Sequence, residues 1–290
     1  SLSLDLALGA GGIPRGRIVE VFGKESTGKS TLCLHMIANI HNNHDGYAAF
    51  IDAEHALDPD YAEAIGVDLS RMVMSQPDSG EQALEIAEGF IRKGSLDLVV
   101  VDSVAALVPQ AELEGEIGDD HMAPQARMMS QAMRRMAGAI RDSKTTLVFT
   151  NQIRSNMNSN PYGPSTTTPG GKALKFYSSV RLSMFHRGRI EDSDDVQTGA
   201  QIGVQVKKNK VAPPQKVGEF DIVYGEGIVR ERELITVGAD FGIVDRAGSW
   251  YKYGEDISLG QGVEKAAKFL KENEDVAQEI ETKIKEKFTS

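Results

Sequence analysis

The sequence contains little cysteine and no long apolar run, and each shortage excludes a class of protein. Of its 290 residues only Cys33 is a cysteine, so an internal disulfide and a CxxC metal site are both excluded. No apolar run approaches the ~18 residues that cross a bilayer, and no secretory segment of apolar residues opens the sequence. We therefore expect a protein of a reducing, cytoplasmic environment.

The chain is also short of positive charge, with one local exception. Its net charge of −10 argues weakly against nucleic acid as a partner. Residues 151–189, however, contain six basic residues and no acidic one. Such a stretch can hold phosphates even on an acidic protein, but it can equally be solvated surface charge. Charge alone does not choose between these two interpretations. The basic residues are Arg154, Lys172, Lys175, Arg181, Arg187 and Arg189.

The most informative segment matches the pattern G-x-x-x-x-G-K-[ST], with Gly28, Lys29 and Ser30 at its end. It follows a short apolar stretch and precedes a run with helical periodicity, which is the strand–loop–helix setting that a phosphate-binding loop needs. Backbone N–H groups and the helix N-terminus then converge on an anion. We predict that Lys29 reaches the β- and γ-phosphates and that the Ser30 hydroxyl ligates Mg²⁺. The predicted nucleotide-binding residues of the loop are Gly23, Lys24, Glu25, Ser26, Thr27, Gly28, Lys29, Ser30 and Thr31.

Apolar strand-like runs alternate with helical patterns up to about residue 150. The predicted strands are 18–22, 47–51, 72–75, 98–101 and 147–150, and the predicted helices are 29–42, 80–93 and 125–143. Such alternation predicts an α/β fold, with a mostly parallel twisted sheet flanked by helices. The methionine-rich face of the third helix predicts core packing.

The regular alternation of strand and helix patterns ends after this region. Residues 155–171 are polar and aperiodic, and so long a segment inside a compact domain is typical of a functional loop. Strand-like runs return at 180–185, 202–207 and 220–224, and two amphipathic helices are predicted at 263–272 and 274–287. We expect a core of residues 1–227 and a small α+β domain of residues 228–290.

Four polar residues at or just after the ends of predicted strands are candidates for chemistry. Asp102 ends an apolar strand, as expected for a carboxylate of a magnesium site, although a lone aspartate can also cap a turn. Glu54 and Asp52 both lie just after another strand, and either could orient or deprotonate water. Gln152 ends a further strand where the long polar loop begins, so it could sense a γ-phosphate and pass the signal to that loop.

Several longer stretches are more specific than the phosphate loop. SLDLALGAGGIPRGR (3–17), FIDAEHALDP (50–59), VVVDSVAALVP (99–109), residues 166–182 and VKKNKVAPP (206–214) resemble the RecA family of bacterial recombinases, and the similarity extends over essentially the whole chain. The resemblance implies an ATP-dependent recombinase that coats single-stranded DNA as a helical filament and pairs it with homologous duplex DNA. The family has a helix and a strand before the point where this sequence begins, and these pack on the next subunit. We therefore expect filament assembly to depend on such a segment.

The resemblance also implies roles at the nucleotide. Glu54 corresponds to the residue that activates the attacking water, and Gln152 to the sensor of the γ-phosphate. Lys208 and Lys210 correspond to a pair that reaches the ATP of a neighbouring subunit. Positions matching the adenine and sugar contacts are Asp58, Tyr61 and Tyr224. Lys24 stands where the family usually has proline.

DNA binding is implied at two loops. The first is the 114–122 region with the helix after it, where the matching positions are Met122, Ala123, Arg127, Ser130 and Arg134. The second is the long polar loop, with Arg154, Gly170, Gly171 and Lys172. This loop coincides with the basic stretch, which favours phosphate binding there. Pro169 resembles an insertion before Gly170.

Other interpretations stay open from the sequence. A ring ATPase or helicase of the same fold is an alternative that directional unwinding of a forked duplex would support. A nucleotide or small-molecule kinase would need an acceptor pocket and an arginine-bearing lid. A non-hydrolysing, assembly-deficient ATP-binding core is the third alternative.

Overall fold

The computed structural model describes residues 1–116, 124–155, 166–192 and 194–289. The helices are α1 Leu2–Leu8, α2 Lys29–His44, α3 Pro59–Ile65, α4 Gly80–Lys93, α5 Gln110–Leu113, α6 Pro124–Ser143, α7 Ala173–Tyr177, α8 Arg230–Asp240, α9 Gly262–Glu272 and α10 Glu274–Thr289. The strands are β1 Ile18–Gly23, β2 Ala48–Asp52, β3 Met72–Ser75, β4 Leu98–Asp102, β5 Thr146–Gln152, β6 Arg154–Ser155, β7 Thr166–Thr167, β8 Val180–Glu191, β9 Gln197–Asn209, β10 Val217–Val223, β11 Gly227–Ile228, β12 Asp245–Ala247, β13 Trp250–Tyr253 and β14 Ile257–Gln261. No helix in these ranges combines the length and apolar character that a membrane crossing requires.

Nine strands form one sheet in the order β11-β10-β9-β8-β1-β5-β4-β2-β3. The pairs from β8 through β1, β5, β4 and β2 to β3 are parallel, whereas β8 to β11 are joined by antiparallel pairs. The central strands β1 and β4 are buried along their whole length, as expected for strands covered on both faces. The predicted mostly parallel sheet is confirmed.

Helices cover both faces of this sheet. On one face α2 packs against the sheet through side chains such as Leu34 and Ile37. On the other face α4 and α6 pack together, and the predicted methionine face of α6 is fully buried through Met129, Met133 and Met136. The single thiol, Cys33, is buried on α2, and burial raises its pKa well above the ordinary value.

The C-terminal part has its own small core. A three-stranded antiparallel sheet of β12, β13 and β14 packs with α8, α9 and α10 around Leu234, Leu270 and Ile280. Arg232 joins this part to the large sheet, because its buried guanidinium forms ion pairs with Asp221 on β10 and with Glu264 on α9. The predicted small α+β C-terminal domain is confirmed in its composition of elements.

The structure also differs from the predicted elements. Helices α1, α3 and α8 were not predicted, because each is short or lacks a clear apolar period. Strands β8 and β9 extend well beyond the predicted segments into exposed positions, since the two strands pair with each other along almost their whole length. A long hairpin of this kind is stabilised by cross-strand pairing rather than by alternating burial.

Candidate nucleotide site and nucleic-acid interface

The phosphate loop begins where β1 ends, and its backbone is shaped by close packing. A Cβ added to Gly23 would lie 2.5 Å from the carbonyl oxygen of Met184 on the neighbouring strand. Ser26 and Gly28 both have positive φ angles, of 57° and 77°, which turn the chain into α2. The helix begins at Lys29 without a side-chain hydrogen bond from its N-cap residue. Its first N–H groups are therefore oriented as a cradle for an anion.

Two side chains of the loop fix it internally. The buried Thr27 hydroxyl donates to the carbonyl oxygen of Lys24 at 2.8 Å, and Lys29 Nζ donates to the same oxygen at 2.8 Å. Thr27 is therefore left with its backbone N–H for a phosphate. Burial lowers the pKa of Lys29, while the carboxylates of Asp102 and Glu54 raise it. The lysine thus lies within the field of the acidic side chains behind the loop.

Asp102 lies at the end of β4, directly behind the helix that the phosphate loop starts. Its carboxylate is buried and accepts hydrogen bonds from the hydroxyls of Ser30 and Thr150. Burial raises the pKa of Asp102, whereas these two hydrogen bonds lower it. The two predicted metal-binding residues, Ser30 and Asp102, are therefore brought together by the fold. Of the two readings of Asp102, the metal-site reading fits this geometry better, because its partners are side chains of the loop and of β5 rather than turn amides.

The two candidates for a water-activating carboxylate have different environments. Asp52 is buried, and its two oxygens accept the N–H groups of Ala56 and Leu57 and the amide of Gln76. Glu54 is exposed to solvent, and it accepts the Ser103 hydroxyl. Asp52 is thus committed to shaping the turn that carries Glu54. Glu54 has the solvent access that a group acting on water requires.

Gln152 lies beside Glu54, although 98 residues separate them in the chain. The Gln152 amide nitrogen is 3.4 Å from Glu54 Oε1, which is a long hydrogen bond. Glu54 follows the carboxyl end of β2, and Gln152 lies at the carboxyl end of β5. Asp102 lies at the carboxyl end of β4, which is between these two strands in the sheet. In open α/β sheets this edge is the ligand crevice.

The predicted base-binding residues lie around the same end of α2. Asp58 caps α3 by accepting the N–H groups of Asp60 and Tyr61. This cap positions Tyr61, whose hydroxyl lies 3.3 Å from the Thr31 hydroxyl. Tyr224 is 58% exposed, and its hydroxyl accepts the Gln197 amide at 2.8 Å. Tyr224 follows β10, whose Ile222 lies against Gly28 of the loop.

Lys208 and Lys210 lie away from the phosphate loop of their own chain. Lys208 is aligned with Arg181 on β8, which is aligned with Glu20 on β1, three residues before Gly23. Lys208 is thus level with the middle of β1. Lys210 donates its N–H to Ser179, whose own N–H donates to Ile18, so it is level with the amino end of β1, whereas the phosphate loop follows the carboxyl end. Lys208 Nζ donates to the carbonyls of Lys175 and Phe176 at 2.9 and 3.0 Å, at the end of α7. Burial lowers its pKa, and nearby Lys210 and Arg181 lower it further.

The described DNA-binding candidates are grouped around α6. Arg127 and Arg134 are exposed on this helix, and Ser130 is half-buried between them. Gly170 and Gly171 pack directly on the helix and its surroundings, because added Cβ atoms would lie 2.8 Å from Val104 and 2.8 Å from Ala126. Lys172 follows them and is exposed. Met122 and Ala123 lie outside the described residues.

The other end of the second loop forms a small ribbon. Arg154 on β6 pairs with Thr167 on β7 in antiparallel fashion, and the arginine is exposed. This ribbon places Arg154 next to Thr167, at the start of the segment 166–172. The two ends of the predicted loop are therefore close together in the structure, which the sequence could not show.

The basic stretch 151–189 is not one continuous surface. Arg181 is buried in an ion pair with Glu20, and its guanidinium lies 4.5 Å from the centre of the Phe22 ring. Arg187 forms an ion pair with Glu219 on β10. The interpretation of all six basic residues as one phosphate-holding field is therefore wrong for these two. It missed them because acidic partners come from strands that are distant in sequence.

Three further residues at this site were not identified from the sequence. Ser103 and Thr150 hold Glu54 and Asp102, as described above. Gln125 on α6 receives the N–H of Gly170 at 3.2 Å and donates to the carbonyls of Val104 and Leu107. Ser103 and Thr150 adjoin strand ends, and this position was the one available signal. Gln125 carried no signal, since a glutamine near the start of a helix is usually solvated.

The chain is similar to known proteins over almost its whole length. The family model described as RecA N-terminal domain matches residues 1–229, and that of the RecA C-terminal domain matches residues 232–289. Protein RecA of Saccharopolyspora erythraea and that of Rhodococcus opacus are each 58% identical over 288 residues, covering 99% of this chain and 82% of the relative. Protein RecA of Caldanaerobacter subterraneus is 54% identical over 288 residues, covering 99% of this chain and 83% of the relative.

Proposed function

The chain belongs to the RecA family, whose members are DNA-dependent ATPases of recombination and repair, and we propose that its phosphate-loop edge binds and hydrolyses ATP. The bound nucleotide then controls how tightly the chain binds single-stranded DNA. The observation that carries this proposal is the convergence of Ser30, Asp102, Glu54 and Gln152 at the carboxyl edge of the sheet. The division into a core of residues 1–227 and a C-terminal domain of residues 228–290 is part of the proposal.

The residues at this edge fit Mg²⁺ with a nucleotide. Among the described ranges no group of three or more His, Cys, Asp or Glu side chains could hold a metal by itself. A hydroxyl and one carboxylate, Ser30 and Asp102, suit an ion that usually keeps waters and takes its other oxygens from phosphates. Bound Mg²⁺ would neutralise charge on the phosphate oxygens. We assign the ion to Ser30 and Asp102.

The chain's own groups have distinct tasks in hydrolysis. The N–H groups of the loop from Gly23 to Thr31 hold the phosphates, and Lys29 exchanges its bond to Lys24 for the β- and γ-phosphates. Glu54 orients and deprotonates the attacking water, and Ser103 holds the carboxylate in place. Gln152 lies beside Glu54 at the same edge of the sheet, and it contacts the γ-phosphate there. Asp58, Tyr61 and Tyr224 hold the base and sugar.

Hydrolysis is proposed to need a second copy of the chain. Lys208 lies level with the middle of β1 and Lys210 with its amino end, both away from the phosphate loop, so the nucleotide that they contact is one bound by a neighbouring copy. There they would stabilise charge that develops on the phosphates. Lys208 must leave the carbonyls of Lys175 and Phe176 to do so, which would link the neighbour's nucleotide to α7.

Single-stranded DNA is proposed to lie along the exposed side of α6 and the two loops. Arg127, Arg134, Arg154 and Lys172 would contact phosphates, with backbone amides at Gly170 and Gly171 and the hydroxyl of Ser130. Met122 and Ala123 are included from the family pattern. Phosphate contacts carry no sequence information, so the bases stay free to pair with a homologous duplex.

The first test is ATP hydrolysis measured with and without single-stranded DNA over a range of protein concentrations. Stimulation by DNA that rises steeply with concentration is expected, because copies must meet to complete the site. DNA stimulation that is independent of concentration would contradict the shared site. Absence of stimulation, with nucleotide bound, would favour the assembly-deficient ATP-binding core.

Glu54→Gln tests the assignment of the water-activating residue. We expect ATP hydrolysis to fall by about 10²–10⁴-fold, the range for loss of a general base, while ATP affinity stays within about threefold. Glu85→Gln is the matched control, because Glu85 is exposed on α4 away from the site. Undiminished turnover in Glu54→Gln would remove Glu54 from the mechanism.

A further inference from the structure

A buried polar cluster lies directly behind the site and has no task in the mechanism above. Glu20, in the middle of β1, is 1% exposed, and Asn151, next to Gln152 on β5, is fully buried. Burial of a carboxylate and an amide is costly unless both are fully hydrogen-bonded. The contacts of these two side chains therefore indicate what they do.

Asn151 uses its single amide group to join three segments. Its Nδ2 donates to Glu20 Oε1 at 3.1 Å and to the carbonyl oxygen of Pro169 at 3.1 Å. Its Oδ1 accepts the backbone N–H of Gln152 at 3.0 Å. One end of the amide thus holds the proposed γ-phosphate sensor. The NH₂ end holds Pro169, which precedes Gly170 and Gly171. We refer to residues 169–172 as the proposed DNA-binding arm.

Glu20 fixes the orientation of this amide. Its second oxygen accepts the Arg181 Nε–H, and the guanidinium lies against the Phe22 ring. A carboxylate has only acceptors, so it requires the NH₂ end of Asn151 to face it. The same NH₂ group then has one remaining proton, and this is directed at Pro169. The amide cannot flip without opposing its oxygen to Glu20.

We propose that Asn151 is a positioning residue that couples the nucleotide to DNA, by joining Gln152 to Pro169 through one amide that Glu20 holds in orientation. The proposal rests on the proposed function, which assigns the two ligands. Movement of Gln152 toward a γ-phosphate shifts its N–H, and the amide transmits the shift to the Pro169 carbonyl. DNA that pulls on Gly170–Lys172 acts on Gln152 in the opposite direction, since coupling between two bound ligands is reciprocal.

Asn151→Asp tests the link at almost constant shape. The aspartate keeps an acceptor for Gln152. It faces the Glu20 carboxylate, and the one proton that such a buried pair takes up is held between the two carboxyl groups, so Pro169 receives none. The readout is the dissociation constant of oligo(dT), measured with and without a non-hydrolysable ATP analogue at saturating concentration. We expect the analogue to tighten DNA binding by about tenfold or more in the unaltered chain, within the usual range for coupled sites, and less than about twofold in Asn151→Asp. Asn43→Asp, exposed on α2, is the control for the change of charge.

A donor–acceptor exchange separates coupling from stability. In Glu20→Gln with Asn151→Asp, the new glutamine amide can donate to the aspartate, so the contact between the two side chains is restored with its polarity reversed. The Pro169 carbonyl still receives no proton. We expect the melting temperature to recover in the double variant while the effect of the analogue on DNA affinity stays lost. Recovery of both would assign Asn151 a purely structural role and overturn the proposal.

The unaltered chain provides a measurement that does not depend on a variant's folding. The side-chain NH₂ protons of Asn151 should exchange slowly, and their NMR resonances should shift when either the analogue or oligo(dT) binds. If neither the analogue nor oligo(dT) changes the chemical shifts of these protons, the proposal is overturned. Full coupling retained in folded Asn151→Asp would overturn it while leaving the proposed function intact. ATP and DNA that bind the unaltered chain with no mutual effect would overturn the coupling and the proposed function together.

Discussion

The phosphate loop and the arm, which is residues 169–172 of the proposed second DNA-binding loop, are both short segments that contain glycine. They are held in different ways. The phosphate loop is fixed by its own backbone and by strands, as the contact of Gly23 with Met184 shows. The arm around Gly170 is held by the side-chain amides of Gln125 and Asn151, which come from other elements. Within the phosphate loop most determinants are adjacent in sequence. For the arm they are remote.

This difference supports the proposed function, in which a constant nucleotide site is combined with a responsive DNA-binding arm. A loop that packs on backbone atoms has little freedom to move, which suits phosphates that must be placed reproducibly. An arm held by a few polar contacts can change position at a small cost when a ligand competes for them. We expect alterations of the phosphate loop to abolish binding, and alterations of the arm to change its strength or its coupling.

The largest effect is expected from Gly23→Ala. Its new Cβ would collide with the Met184 carbonyl at 2.5 Å, and backbone atoms of a central strand cannot move away easily. Displacement of the loop should remove at least two hydrogen bonds to the phosphates, and ATP affinity should fall by about a hundredfold or more in equilibrium titrations.

Gly89→Ala is the matched control, because a Cβ there meets nothing within 4 Å on α4. It should stabilise the chain by about 0.5–1 kcal/mol, since alanine has the better helix propensity. Unchanged ATP affinity in folded Gly23→Ala would mean that the loop tolerates displacement, and the contrast with the arm would be lost.

A smaller effect is expected when Arg154 and Lys172 are both replaced by alanine. The variant should bind ATP normally and bind oligo(dT) more weakly. The slope of log affinity against log salt should decrease by about 1.4, because two phosphate contacts of a single strand are lost.

Lys93→Ala with Arg246→Ala removes the same two residue types from exposed positions on α4 and β12, away from the proposed DNA-binding side of α6, and should leave the slope unchanged. A slope in Arg154→Ala/Lys172→Ala equal to that of this control would show that neither end of the second loop carries phosphates.

The smallest effect concerns a contact remote from the arm, where α2 meets β11. His35 Nε2 accepts the N–H of Ile228 at 2.7 Å, and burial lowers its pKa from 6.5 to about 4. The unfolded chain therefore binds a proton more readily, so stability should be complete above pH 6.5 and be lost as the pH falls toward about 4. In His35→Gln, which keeps an acceptor but does not titrate, the melting temperature should depend less on pH in this window, by on the order of a few degrees. Identical pH profiles would show that folding does not lower the pKa of His35.

Patterns that are local in the chain were predicted well. The apolar strands, the helix after the phosphate loop and the helix predicted at 80–93 follow from residues within a few positions of each other. The meeting of Ser30 with Asp102 also follows from the sequence, because the carboxyl ends of parallel strands meet at one edge. The positions of strand ends did not choose between Asp52 and Glu54, and only the family resemblance implied Glu54. Which of the two carboxylates accepts the turn amides depends on the tertiary structure.

The sequence by itself determined the family, the α/β class and the residues that form the phosphate cradle, because these rest on short-range spacing and on long matching stretches. Only the tertiary structure decided that Arg181 is neutralised by Glu20, that Lys208 lies level with the middle of β1 rather than beside the loop, and that Asn151 joins Gln152 to Pro169. Each of these depends on a partner from a distant strand. Hydrogen bonds and ion pairs act over a few ångströms in space, and sequence separation does not reveal which groups come within that distance.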